Sequence, residues 1–174
     1  MRTINLIVAV DEEYGFGKDG KIPWHYPEDF KFFKNTTKGH VCIMGRKTFD
    51  DLLTYANGKK VLPDRQCIVV TSTPISYEYD NVHIATSIND ALDISNNIQG
   101  DVFFIGGESI FSSGLQLADC VYMTQIPGTY GCDRHFPYKK LLNNFQLYEK
   151  KVGDGGLIFN TYIHNIFGNK NPHN

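Results

Sequence analysis

The order of apolar and polar residues predicts an α/β fold: one domain built on a mostly parallel, mixed β-sheet of about eight strands, flanked by about four helices and finished by an antiparallel C-terminal hairpin. Three observations carry this. Short apolar runs of strand length alternate with helical segments along most of the chain, the pattern of βαβ units. The end of the chain instead alternates polar and apolar residues on both sides of Gly153-Asp154-Gly155-Gly156, which reads as a hairpin. A length of 174 residues is enough for one good core, and no internal repeat, low-complexity tract or linker divides it.

Taken in order, Ile4–Val10 is the first strand and 11–26 a long Gly-rich loop. A helix follows over 27–36, a buried strand over 40–44 and a second helix over 46–55. Residues 56–65 are a polar loop, 66–71 a strand, 72–80 a loop and Val82–Ala85 a further strand. Ser87 caps a helix that runs to about residue 96, with Asp90 in the capping-box place. Residues 101–105 form a strand, 107–115 a helix and Cys120–Gln125 a strand. The hairpin occupies 144–151 and 157–163. Residues 166–174 are expected to be a polar tail outside a domain spanning 1–165.

The segment 21–33 concentrates the chemistry. Pro23 and Pro27 bracket Trp24, the single tryptophan. Each proline fixes its own φ and biases the residue before it away from the α region, so the chain is extended up to Tyr26 and Pro27 is a good first helical residue. Stepping about 100° per residue from Asp29, Phe32 falls at about −60°, Phe33 at about 40° and Phe30 at about 100°. Asp29 thus lies inside the aromatic arc, while Glu28, Lys31, Lys34 and Asn35 take the solvated side. A first-turn acid can simply complement the helix dipole, but Glu28 already does so from the wet side. A carboxylate facing the core is costly unless something binds it. Asp29 is therefore read as aimed at a ligand with paired N–H donors, over a floor of Phe30 and Phe33.

A net charge of −2 and a pI near 6.3 give no sign of a nucleic-acid partner. No apolar run approaches the roughly 20 residues of a membrane span, and Ile4–Val10 is too short and too early to be the core of a signal peptide. A cytoplasmic protein without a membrane partner is expected. Cys42, Cys67, Cys120 and Cys132 form no Cys-x-x-Cys pair and read as reduced, mostly buried residues, so neither a disulfide frame nor a metal site is expected.

Gly15-Phe16-Gly17-Lys18-Asp19-Gly20 matches the dinucleotide pattern G-x-G-x-x-G and follows the first strand, but Pro23 and Pro27 prevent a helix from opening directly after it. A mobile loop over a pocket, hinged by glycines, is expected instead. Two later strand-to-helix junctions do present helix N-termini. At Ile105-Gly106-Gly107-Glu108-Ser109, the glycines allow either a ligand close to backbone N–H groups or tight strand-helix packing. Met44-Gly45-Arg46-Lys47-Thr48 adds two cations, which oppose the helix dipole and so suggest an external anion; a solvated basic face is the alternative. Ser72, just beyond the strand ending at Thr71, lies where a third anion contact could form.

Together, Val10-Asp11 with Gly15-Phe16-Gly17, Ile22-Pro23-Trp24 with Pro27-Glu28-Asp29-Phe30 and Phe33, Ile43-Met44-Gly45-Arg46-Lys47-Thr48-Phe49, Leu62-Pro63 with Arg65, Ile105-Gly106-Gly107, and Asp133 with Phe136-Pro137 resemble dihydrofolate reductase. The similarity keeps that family's order and spacing from Ile4 to about His164. It implies a monomer that moves a hydride from NADPH to C6 of the dihydrofolate pterin, with a proton added at N5, in support of one-carbon metabolism. Asp29 would bind the pterin's ring N–H and amino group and promote protonation through water. Trp24 would hold that water, and Thr124 would back the carboxylate's network. Val8, Ile22, Phe30 and Phe33 would line the folate pocket, as would Leu52, Leu62 and Ile105, with Arg65 on the glutamate α-carboxylate. Ala9, Gly17, Gly106 and Gly107 would hold the dinucleotide, Thr48, Thr71, Ser72 and the turn Glu108-Ser109-Ile110 would complete its site, and Arg46 and Lys47 would lie near the adenosine 2′-phosphate.

The chemistry of the residues agrees with this resemblance, since hydride transfer needs positioning and a tuned acid rather than a nucleophile or metal. Phe49 stands where many members have tryptophan and Phe111 where tyrosine is common. The segment 53–61 differs from short bacterial forms. A related reductase of riboflavin synthesis shares the coenzyme half of the fold, but Trp24, Asp29 and Arg65 together are not expected in it. A non-catalytic protein of this fold should have lost Asp29 or the glycines, and Arg46 and Lys47 argue against a preference for NADH.

Overall fold

The computed structural model describes residues 2–76 and 79–168. Its strands are β1 Ile4–Val10, β2 Gly15–Gly17, β3 Val41–Gly45, β4 Gln66–Val70, β5 Val82–Ala85, β6 Val102–Gly106, β7 Cys120–Gln125, β8 Arg134–His135, β9 Phe145–Val152 and β10 Ile158–His164. Eight of them form one sheet in the order β5-β4-β3-β6-β1-β7-β10-β9. Every pairing from β5 to β7 is parallel, and β10 runs antiparallel to both β7 and β9. This is the expected mixed sheet with its antiparallel end.

Helices α1 Pro27–Thr37, α2 Arg46–Ala56, α3 Ile88–Ser95 and α4 Glu108–Leu115 fall where the periodicity places them. Two short ones, α5 Tyr138–Asn144 and α6 Asn165–Gly168, were not expected. In α5 only Leu141 is buried, too little for an apolar period to register. The turn α6 takes up the first residues of the expected tail, and 169–174 lie outside the described residues.

The central strands are buried on both faces, as a parallel sheet covered by helices requires. On one face Leu6, Val10, Ile43 and Phe104 pack with Ile110 and Leu115 of α4. On the other, Cys42, Met44, Cys67 and Val69 meet Phe49 and Leu52 of α2. Phe49 is fully buried, and burial of such a ring is worth about 1.5–3 kcal/mol, so phenylalanine fills this interface. Ser87 Oγ accepts the Asp90 N–H at 3.0 Å, while the Asp90 carboxylate reaches back to the Thr86 N–H at 2.9 Å.

The segment 11–26 carries more structure than the expected loop. Within it, β2 pairs antiparallel with β8 in a separate ribbon. The Asp11 carboxylate ties the ribbon down by accepting the N–H groups of Glu13 at 2.9 Å, Gly15 at 2.9 Å and Tyr130 at 3.1 Å. Tyr14 stacks on Tyr138 at 3.8 Å between ring centroids. A Cβ at Gly15 would stand 2.3 Å from Cys132 Cβ, so close approach requires a glycine here. The contacts with Tyr130, Cys132 and Tyr138 come from residues more than a hundred positions away, beyond the reach of local pattern.

Candidate active site

The first turn of α1 and the ends of β1, β6 and β7 surround a cleft of about 590 Å³. Tyr26, extended at φ −125° and ψ 96°, turns the chain into α1, and Pro27 opens the helix. That geometry points Asp29 inward. The residue is 9% exposed, and its carboxyl caps nothing, since α1 has no side-chain cap. Burial pushes it above the usual carboxylate range, a hydrogen bond from the Thr124 hydroxyl opposes this, and the neighbouring Glu28 pushes it further up. Thr124 comes from β7 and is itself buried. The acid form of Asp29 is therefore easier to reach than in a surface aspartate.

Glu28 is not the freely solvated acid expected: its Oε2 accepts the Asp154 N–H at 2.8 Å and so fastens the β9–β10 turn to α1. Trp24 is buried and meets Tyr130 edge to face at 5.4 Å. Val8, Ile22, Phe30 and Phe33 line the cleft with Asp29, and so do Leu52 of α2, Ile105 of β6 and Leu62 of the loop between α2 and β4. Ile22 and Phe30 are each 40% exposed, leaving apolar surface available to a flat ligand.

Arg65 also lines the cleft, 6% exposed. The adjacent Asp64 is an obvious surface partner for it, yet among the described residues Arg65 takes part in no ion pair. Its Nε donates to Pro63 O at 3.1 Å, its Nη1 donates to Thr37 Oγ1 at 3.3 Å, and its guanidinium lies 5.8 Å from the Phe33 ring centroid. A buried guanidinium with neutral partners favours an anionic ligand.

The same cleft continues past Ala9, Gly17, Thr48, Gly106 and Gly107. There α2 and α4 begin beside each other, on Gly45 and Gly107, and neither has a side-chain cap. Their first-turn N–H groups are free to meet a diphosphate, which is the fit a dinucleotide requires. Arg46, Lys47, Thr71 and Ser72 stand outside the cleft on the surrounding surface, as do Glu108 and Ser109. Arg46 pairs with Asp50 at 3.0 Å. Ile110 is the exception among the expected coenzyme contacts: its side chain is buried in the core, so only its backbone N–H is available.

Asp51, Tyr55 and Arg134 also line the cleft and were not expected there, and Phe111, whose family counterpart would carry a hydroxyl near the nicotinamide, lines it as well. Asp51 and Tyr55 share a helical face with Thr48 and Leu52, a spacing that could have revealed them. Phe111 packs edge-on to Phe16 at 5.1 Å and Phe136 at 5.4 Å, which fills its place without a hydroxyl. Arg134 sits in a two-residue strand with no local signal. Among the described residues no group of three or more His, Cys, Asp or Glu side chains could hold a metal ion, and no helix is long and apolar enough to cross a membrane.

Comparison with known proteins bears on this geometry. The family described as dihydrofolate reductase matches residues 3–160. The dihydrofolate reductase of Bacillus subtilis (strain 168) is 41% identical over 134 residues, 77% of this chain and 75% of the relative. That of Staphylococcus aureus is 31% identical over 167 residues, 94% of this chain and 98% of the relative. The solved dihydrofolate reductase from Enterococcus faecalis, complexed with NADP(H) and RAB-propyl, superposes with a TM-score of 0.80 at 30% identity, covering 94% of this chain and 96% of that one.

Proposed function

Since the chain belongs to the dihydrofolate reductase family and reduces dihydrofolate to tetrahydrofolate with NADPH, we propose that Asp29 is the group that binds the pterin and promotes its protonation. The observation that carries this is the Asp29 carboxyl itself: buried in an aromatic-lined cleft, unused as a helix cap, and hydrogen-bonded by Thr124. NADPH, when bound, supplies the hydride taken up at C6. Asp29 accepts the ring N–H and amino group of the pterin and favours the proton's arrival at N5 through a water held beside Trp24. Thr124 orients the carboxyl. Ile22, Phe30 and Phe33 clamp the ring and exclude bulk water, which strengthens the polar contacts they surround.

Arg65 grips the glutamate α-carboxylate, and Val8, Leu52, Leu62 and Ile105 shape the path between. The paired starts of α2 and α4, with Thr48, Gly106 and Gly107, hold the coenzyme diphosphate; Ala9 and Gly17 flank its nicotinamide end. Arg46 and Lys47 meet the 2′-phosphate, with Thr71, Ser72, Glu108, Ser109 and the backbone of Ile110 around them. Operation as a monomer in the cytoplasm belongs to the same proposal. The cytoplasmic reading is supported by four free cysteines, which suit a reducing compartment. The test is loss of reduced-nicotinamide absorbance on adding dihydrofolate, run beside Asp29→Asn. The variant should still bind NADPH yet lose at least ~10²-fold in turnover near neutral pH; unchanged turnover would remove Asp29 from the chemistry.

A further inference from the structure

The geometry points to Arg134 as a further coenzyme-gripping residue, donating from Nη2 to an oxygen of the ribose-phosphate arm on the nicotinamide side of NADPH. This inference rests on the coenzyme reading of the α2 side of the cleft. Arg134 opens β8 opposite Gly17, and its side chain, only 17% exposed, lines the cleft with Thr48 and Asp51. Nη1 lies 4.0 Å from Asp51 Oδ2, a loose ion pair that bridges the ribbon and α2. Nη2 is buried and has no hydrogen-bond partner among the described residues. A buried charged donor without an acceptor is costly, so an acceptor delivered by a ligand would relieve it.

The position selects the ligand group. Thr48 and Asp51 are three residues apart on one face of α2, so the Arg134–Asp51 pair stands about one turn, ~5 Å, farther from the helix start than the free N–H groups that suit a diphosphate. The unit that follows the diphosphate toward the nicotinamide is a ribose. A guanidinium donor beside a carboxylate acceptor also suits a ribose-phosphate, which offers both oxygen acceptors and hydroxyl donors, better than a bare anion that Asp51 would repel. The turn at 18–21 passes close by: a Cβ at Gly20 would stand 3.9 Å from Arg134 Nη2 and 3.8 Å from Asp51 Oδ1. No side chain from Gly20 competes for the donor.

Arg134→Met should therefore weaken NADPH and NADH by equal factors, about tenfold or more, because both carry this arm. Adenosine 2′,5′-bisphosphate, which lacks it, should bind within about twofold of its wild-type affinity. Titration calorimetry with the three nucleotides reads all of this, and the unaffected third ligand separates a contact from general loss of structure. If Arg134→Met does not fold, Arg134→Lys, which keeps the charge but not the fork, should show the same equal and selective loss. Unchanged NADPH affinity, or equal weakening of the bisphosphate, would overturn the assignment. Failure of the wild-type protein to bind any of the three would overturn the coenzyme reading and this inference with it.

Discussion

Replacing Arg65 by lysine separates ligand recognition from pocket architecture. The guanidinium uses Nε on Pro63 O at 3.1 Å and part of Nη1 on Thr37 Oγ1 at 3.3 Å, so its other N–H donors remain for the cleft that it lines. An ammonium cannot keep both internal bonds and also offer two parallel hydrogen bonds to a carboxylate. A hydrogen bond to a charged group is worth about 1.5–3 kcal/mol. Loss of ~1.4 kcal/mol or more should raise KM for dihydrofolate about tenfold or more at saturating NADPH, while NADPH affinity stays unchanged. Thermal unfolding should register the weakened ties to Thr37 and Pro63, at ~1 kcal/mol. An antifolate without a glutamate tail should bind the variant as well as it binds wild type. If that compound weakened as much as the substrate, Arg65 would be shaping the pocket and not holding the carboxylate.

Removing Arg46 and Lys47 together should weaken NADPH far more than NADH in isothermal titration, since exposed pairs such as Arg46–Asp50 are worth little and are readily exchanged for a phosphate; equal losses would mean that these residues do not read the 2′-phosphate. Gly15→Ala should cost about 1–3 kcal/mol in chemical denaturation through the clash with Cys132 Cβ, whereas Gly17→Ala, whose new Cβ meets nothing closer than 3.7 Å, should be milder. Similar costs would show that the ribbon is not packed as described. Asp29→Asn should raise the stability of the ligand-free protein near neutral pH. The folded Asp29 carboxyl is raised above its ordinary value of 3.8, so its penalty is absent below that value, grows as pH rises through the folded pKa and is complete above it. Thermal melts should show the advantage at neutral pH and lose it in acid; a pH-independent difference would refute the burial argument.

The sheet was legible because buried parallel strands are short apolar runs, and the helices because α1 to α4 each bury one face. Asp29 was legible because two prolines fix where α1 starts and hence which side the acid faces. Arg65 rested on resemblance, since its local neighbour Asp64 offered an ordinary partner that the structure does not use. The ribbon, Arg134 and the tie between Glu28 and Asp154 were hidden because each depends on segments distant in sequence.

The central claim is that a buried acid at position 29 governs the proton-linked step. Single-turnover hydride transfer, followed by nicotinamide absorbance across pH in the wild-type protein and in Asp29→Asn, tests it most directly. The wild-type rate should fall as pH rises through an apparent pKa above the ordinary aspartate value, and the variant should be slower by at least ~10²-fold near neutral pH and lack that titration. Superimposable profiles for the two proteins would contradict it.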